Sequence, residues 1–136
     1  QNTMDNGPWF TQYGAGPFTS SAQLSEWLNR NVEISVMMDR WSMGKNRFKN
    51  EDYFVFTHQD ISMRNFILGN DSRIWMIDWE LSGFYPRYFE YSSTTFNNSG
   101  SRMWDNIVPL LSGYYPTYFK MLDELRWVLI RAHAIQ

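Results

Sequence analysis

The chain has 136 residues, 43% of them hydrophobic and 19% charged, with a formal net charge of -2. That is enough chain for one domain with its own core, and a near-neutral, slightly acidic surface excludes electrostatic capture of nucleic acid or anionic lipid as the basis of function. No cysteine is present, which excludes a disulfide framework, a thiolate metal site and a cysteine nucleophile.

Gln1 to Gly7 are polar, without the basic start and apolar run of a secretory signal. Apolar runs such as Trp127 to Ile130 fall far short of the roughly 20 residues that a membrane-spanning helix needs. The expectation is a cytoplasmic protein with no membrane partner and no nucleic-acid partner. Residues 1–19, with Gly7-Pro8, Gly14 and Gly16-Pro17, read as a loop-rich entry. Ser20 and Gln23 match a helix capping box, and Leu24, Trp27 and Leu28 then recur at the i, i+3, i+4 spacing, which predicts a helix over Ala22 to Arg30 that buries Trp27. Ser42 to Asp52, with Gly44, Lys45, Asn46, Arg47, Lys49 and Asn50, reads as an exposed loop, and Tyr53 to Phe56 as a short strand.

Phe66-Ile67-Leu68 and Arg73 to Ile77 are β-rich runs around the four turn formers Gly69-Asn70-Asp71-Ser72, which predicts a hairpin. Beyond it, Pro86 to Phe96, Ser101 to Leu111 and Pro116 to Ala134 read as helices. In the last, Tyr118, Leu122, Leu125, Leu129 and Ala132 form one buried stripe. No repeat or charge block divides the chain. Aromatic residues make up 18%; such rings serve first as core, and a surface on which a sugar stacks is the rival reading. Asp105, Asp123 and Glu124 read as solvated helix residues, and His133 offers no zinc-type spacing.

The hairpin gathers polar residues that lie apart in sequence. If Leu68 faces Arg73 across the turn, Ile67 faces Ile74, Phe66 faces Trp75 and Asn65 faces Met76, so Asp78 lies two residues beyond the partner of Asn65. An amide oxygen and a carboxylate then meet at the open end of the ribbon, the sparse oxygen set that magnesium accepts when water and phosphate complete its shell. Asp60, five residues before Asn65, leads into the same space, where its carboxylate can take a hydroxyl proton.

These residues also carry a resemblance. His58-Gln59-Asp60-Ile61-Ser62-Met63-Arg64-Asn65 resembles the H-x-D-x-x-x-x-N catalytic loop of the protein-kinase-like superfamily, and Ile77-Asp78-Trp79-Glu80 stands where that superfamily has its second metal-binding Asp. With Gly83-Phe84-Tyr85-Pro86 and Phe89-Glu90-Tyr91, the stretch 53–92 is similar to the aminoglycoside phosphotransferase and choline kinase-like branch, and within it to the fungal phosphotransferase-enzyme members. The resemblance implies an α+β fold: a mainly helical C-terminal lobe in which a small β-hairpin carries the catalytic loop, with 53–92 as the site and 93–136 as its helical part. It further implies Asp60 as catalytic base, Asn65 and Asp78 as Mg2+ ligands, Ser62 as a phosphate contact and His58 as structural support, while Glu80 reads either as support that orients Asp78 and its loop or as a solvated residue. ATP or GTP would be co-substrate, and a small hydroxyl-bearing molecule the acceptor.

Two departures accompany it: Gln59 replaces the commoner Gly, and Trp79-Glu80 replaces Phe-Gly. No glycine-rich phosphate-covering hairpin and no strand with a phosphate-pairing Lys is found upstream; Gly14-Ala15-Gly16 has Thr19 where a third glycine belongs, and Lys45 and Lys49 sit in a polar loop. The expectation is a single C-terminal lobe over 1–136 whose nucleotide-binding lobe lies upstream of Gln1, a start without Met that fits a fragment. The alternative is a kinase-like remnant without turnover, or an aromatic-rich module that binds a sugar.

Overall fold

The structure is a computed structural model that describes residues 5–10, 14–51, 53–98 and 100–131. In chain order the elements are α1 (Ser21–Met37), β1 (Val55–Thr57), a single 3-10 turn (Met63–Asn65), β2 (Phe66–Leu68), β3 (Ile74–Met76), β4 (Gly83–Tyr85), α2 (Tyr88–Asn97), α3 (Arg102–Ser112) and α4 (Pro116–Arg131). The class is α+β. The chain forms two compact units, one of residues 1–54 with 116–136 and the other of residues 55–115. No described helix is long and apolar enough to cross a membrane.

In the first unit α1 packs on α4. Ser20 is extended and its Oγ accepts from the Gln23 N–H at 3.2 Å, which starts α1 as expected. The return arm differs from a capping box, because Gln23 Oε1 accepts from the N–H (2.9 Å) and the hydroxyl (3.0 Å) of Thr19, one residue earlier. The helix runs past Arg30 because the buried stripe of Leu24, Leu28, Asn31, Val32 and Ser35 continues at helical spacing. Asn31 stays inside by donating its Nδ2 to the Trp27 carbonyl at 2.8 Å. Against this stripe α4 buries Met121, Leu122, Leu125, Val128 and Leu129, whereas Tyr118 is only half-buried. Ala132, His133 and Ala134 lie outside the described residues.

The segment expected as an exposed loop holds a buried anchor. Phe48 is 3% exposed, and its N–H and carbonyl exchange two hydrogen bonds of 2.9 Å with the Asn29 side chain. A reciprocal amide pair of this kind satisfies a strand-less backbone without a sheet.

The second unit holds two separate antiparallel ribbons, β1 with β4 and β2 with β3, and α2 packed on α3. The short strand expected over Tyr53 to Phe56 is found as β1, over Val55–Thr57, whereas β4 and its pairing with β1 were not expected: three residues are too few to show an alternation. Its core includes Ile61, Tyr85, Tyr88, Phe89, Tyr91, Trp104 and Val108, with the Tyr85 and Phe89 rings stacked at 5.2 Å. Gly113, at φ 79°, ends α3 in a conformation that costs a side-chain-bearing residue.

The β2–β3 hairpin exists, with a register one residue away from the expected one. Phe66 faces Met76, Ile67 faces Trp75 and Leu68 faces Ile74. The loop has three residues, because the Gly69 N–H donates to the Arg73 carbonyl (2.8 Å) and the Ser72 N–H to the Gly69 carbonyl (3.1 Å). Ser72 adopts φ 64°, the left-handed step that lets a three-residue loop follow strand twist, and Asp71 Oδ1 steadies it by accepting from the Arg73 N–H at 3.1 Å. A Cβ on Gly69 would stand 2.8 Å from that same Oδ1. Asn65 therefore faces Ile77, whose N–H reaches its carbonyl at 2.8 Å, and Asp78 is one residue beyond the partner of Asn65 rather than two.

The packing makes a direct prediction for stability. Leu122 is 0% exposed, and its truncation to Ala costs about 2–5 kcal/mol. Leu110 is 85% exposed, and the same change there stays within about 0.5 kcal/mol. Urea denaturation of the two variants checks the contrast, and equal losses would show that α4 does not seat its stripe as described.

Candidate functional site

The site is built on the segment between β1 and the 3-10 turn. Its first fixed point is Glu90, in the first turn of α2. One oxygen accepts from the His58 N–H at 2.6 Å, and the other from the Gln59 N–H at 3.0 Å. Two consecutive amides converge on one carboxylate because Gln59 is left-handed, at φ 70°. Burial pushes the Glu90 carboxyl above the ordinary glutamate range, and the two N–H donors and the nearby His58 offset only part of that rise. Gln59 is itself fully buried and donates its Nε2 to the Leu81 carbonyl at 2.8 Å.

His58 links the loop to the hairpin. Its Nδ1 accepts from the Asp60 N–H at 3.0 Å, which leaves the proton on Nε2 to be donated to the Ile77 carbonyl at 2.9 Å. The imidazole is 3% exposed and meets the edge of Trp79 at 4.5 Å. It thus spans from the residue before Asp78 to Asp60 itself.

Asp60 and Asn65 are in contact. Asn65 Nδ2 donates to the Asp60 carbonyl at 2.7 Å and to Asp60 Oδ2 at 3.1 Å. Asp60 Oδ1 accepts from Arg64 Nη2 at 2.6 Å and from Asn97 Nδ2 at 3.2 Å. A carboxylate offers about four lone-pair directions, and three are filled, two on Oδ1 and one on Oδ2. The open direction on Oδ2 can take a single hydroxyl donor. The Asp60 side chain is 17% exposed, so it is framed rather than sealed.

Asp78 is exposed and left-handed, at φ 62°. Its carboxylate makes no hydrogen bond or ion pair with any described residue, and Glu80 beside it is likewise exposed. The donors fit a hard cation in kind. Asn65 spends its Nδ2 on Asp60, which turns its amide oxygen the other way, and Asp78 keeps both carboxylate oxygens unspent. Among the described residues no three His, Cys, Asp or Glu side chains are grouped to hold a metal ion, so a cation here depends on Asn65 together with Asp78.

Ser62 stands apart from the others. It is 3% exposed, as Asn65 is, and its Oγ has no hydrogen-bond partner among the described residues. Asn97 and Asn98, at the C-terminal end of α2, were missed by the sequence reading: besides the Asn97 bond, Asn98 Nδ2 donates to the Ile61 carbonyl at 2.9 Å and to the Thr94 carbonyl at 2.8 Å. An Asn pair after a helical run reads as an ordinary helix end, so its reach to the loop had no separate signal. Asp105 is exposed, while Glu124, in the first unit, accepts from the N–H and hydroxyl of Ser42.

The raised Glu90 carboxyl fixes a pH signature. Replacing it with Gln sets an NH2 against one of two N–H donors and costs about 1–3 kcal/mol. In the folded chain Glu90 holds its proton to higher pH than in the unfolded one, so its contribution is greatest below the ordinary glutamate range and falls as pH rises through the raised value. The stability gap between wild type and Glu90→Gln, from urea curves at a series of pH values, therefore narrows with rising pH; a gap that widens contradicts the assignment.

Comparison with protein-family models, curated proteins and solved structures finds no match to this chain.

Proposed function

We propose that the chain is the catalytic part of a small-molecule phosphotransferase with the helical lobe of the protein-kinase-like fold. It would move the γ-phosphoryl of ATP or GTP to a hydroxyl of a small acceptor. The observation that carries this reading is the bonded chain from Asp60 through Asn65 to Ile77, which ends one residue from Asp78. A base, an amide and a second carboxylate are thereby tied to one hairpin end.

In the reaction the acceptor oxygen forms a bond to the γ-phosphorus, and the bond from that phosphorus to the β–γ bridging oxygen breaks, its electron pair leaving with the diphosphate. The hydroxyl proton passes to the open direction on Asp60 Oδ2. Asp60 is held in plane by Arg64, Asn65 and Asn97, so its main contribution is to orient the acceptor for in-line attack, which suits a loose transition state that needs position more than base strength. Asn65 and Asp78 are the residues that would hold Mg2+, which neutralises phosphate charge when bound. His58 and Glu90 keep Asp60 and the hairpin in register.

A different observation favours a second reading, a module that stacks a sugar without transfer. Phe56 and Phe84 are cross-strand partners on the β1–β4 ribbon, and their rings lie 5.5 Å apart with Trp79 stacked on Phe56 at 5.7 Å. All three rings are exposed, and flat exposed rings suit the apolar face of a pyranose.

Calorimetric titration of the full-length protein, with the nucleotide-binding lobe expected upstream of Gln1, separates the two readings. The phosphotransferase reading expects Mg2+-dependent ATP or GTP binding that Asp78→Ala weakens at least about ten-fold, while Asp60→Asn leaves it nearly intact and abolishes phosphoryl transfer wherever the chain turns over. Binding of a glycan array that Phe56→Ala removes, with no response to Mg2+ and nucleotide, would replace it with the second.

A further inference from the structure

We infer that Arg64 is the residue that grips the terminal phosphate of the nucleotide, a contact that rests on the phosphotransferase reading. Of the residues 58–65 it is the one Lys or Arg. Its side chain is 63% exposed and is anchored by Nη2 at 2.6 Å from Asp60 Oδ1. A guanidinium carries five N–H donors in a rigid fork. One is spent on Asp60, and no other bond of Arg64 to a described residue exists.

The spent donor determines what the free ones can do. It holds the guanidinium plane against the carboxylate that receives the acceptor proton, so an oxyanion on the unspent edge lies beside the reacting oxygen. The electrostatics favour the same occupant. Asp60 and Asp78 bring two carboxylates to the hairpin end, with Glu80 next but one in sequence, and a triphosphate entering among them needs a fixed positive charge besides any bound cation. Ser62, in the position first expected to meet phosphate, is 3% exposed. The 3-10 turn Met63–Asn65 carries the solvent-facing donor two residues later instead.

The contact is to the terminal phosphate, so triphosphate and diphosphate should respond differently. In calorimetric titrations of the full-length protein with Mg2+·ATP and Mg2+·ADP, Arg64→Ala weakens ATP about ten-fold or more and leaves ADP within about two-fold. Arg64→Lys keeps the charge without the fork and falls between wild type and Ala. The side chain is largely solvent-facing, so neither variant threatens the fold, and thermal melts superimposable on wild type check this. ATP affinity unchanged in Arg64→Ala overturns the assignment, as does an equal loss for ATP and ADP. A full-length protein, its upstream nucleotide-binding lobe included, that binds neither nucleotide, or an Asp78→Ala variant of it that binds both as wild type does, overturns the phosphotransferase reading itself and this contact with it. The two failures are therefore separate observations.

Discussion

The site depends on one half-buried carboxylate. Glu90 takes the N–H groups of His58 and Gln59 together, and that double bond of acceptance is what holds Gln59 in a left-handed conformation no β-strand would adopt. The turn it creates sets the directions of the residues on either side. His58 is sent inward, where its two ring nitrogens brace the Asp60 N–H and the Ile77 carbonyl, and Asp60 is sent toward Asn65 and Asn97. Burial works against the charge on Glu90, so the carboxylate is costly in isolation and is stabilised by the donors it organises.

Helix α2 acts on the loop twice. Its first turn supplies Glu90, and its last turn supplies Asn97 and Asn98, which reach Asp60 Oδ1 and the Ile61 carbonyl. A ten-residue helix thus spans the loop and holds both its entry and Asp60. The helix is in turn seated by Tyr88, Phe89 and Tyr91, all buried, and by its packing on α3. Packing is thereby converted into placement of the Glu90 carboxylate, and through it of the His58 imidazole and the Asp60 carboxylate.

Much of this scaffold was legible in the residues. Long periodic stretches announced α1 and α4, and turn formers between β-rich runs announced the hairpin, because burial on one face and turn chemistry are local signals. The register was not legible. Choosing between a four-residue turn and a three-residue loop depends on whether Arg73 pairs with Leu68 or with Gly69, a difference decided by the φ of one residue and one Asp71 side-chain bond. The Asp60–Asn65 contact followed from their spacing, whereas Asn97 lies 37 residues from Asp60 and nothing in a short polar run foretells such a partner. Phe48 was hidden for the same reason: its burial comes from Asn29, on another element.

The slipped register has a consequence for Asp78. Asn65 and Ile77 face each other, and side chains alternate along a strand, so a regular continuation would send Asp78 to the opposite face of the ribbon from Asn65. The backbone does not continue regularly, because Asp78 has φ 62°. Of the four non-glycine residues with positive φ among those described, Asp39 follows α1 and Ser72 closes the hairpin loop, where such a conformation serves a reversal of the chain. The other two, Gln59 and Asp78, adjoin Asp60 and Asn65's partner Ile77, Gln59 in the loop after β1 and Asp78 just before the turn that the Ser82 N–H closes on the Trp79 carbonyl. Left-handed non-glycine residues cost energy that the surroundings must supply, and here the supply is visible in the Glu90 and Leu81 bonds at Gln59 and the His58 bond to Ile77 beside Asp78. Two left-handed residues thus flank the Asp60–Asn65 pair, each held by hydrogen bonds of the loop or hairpin around it.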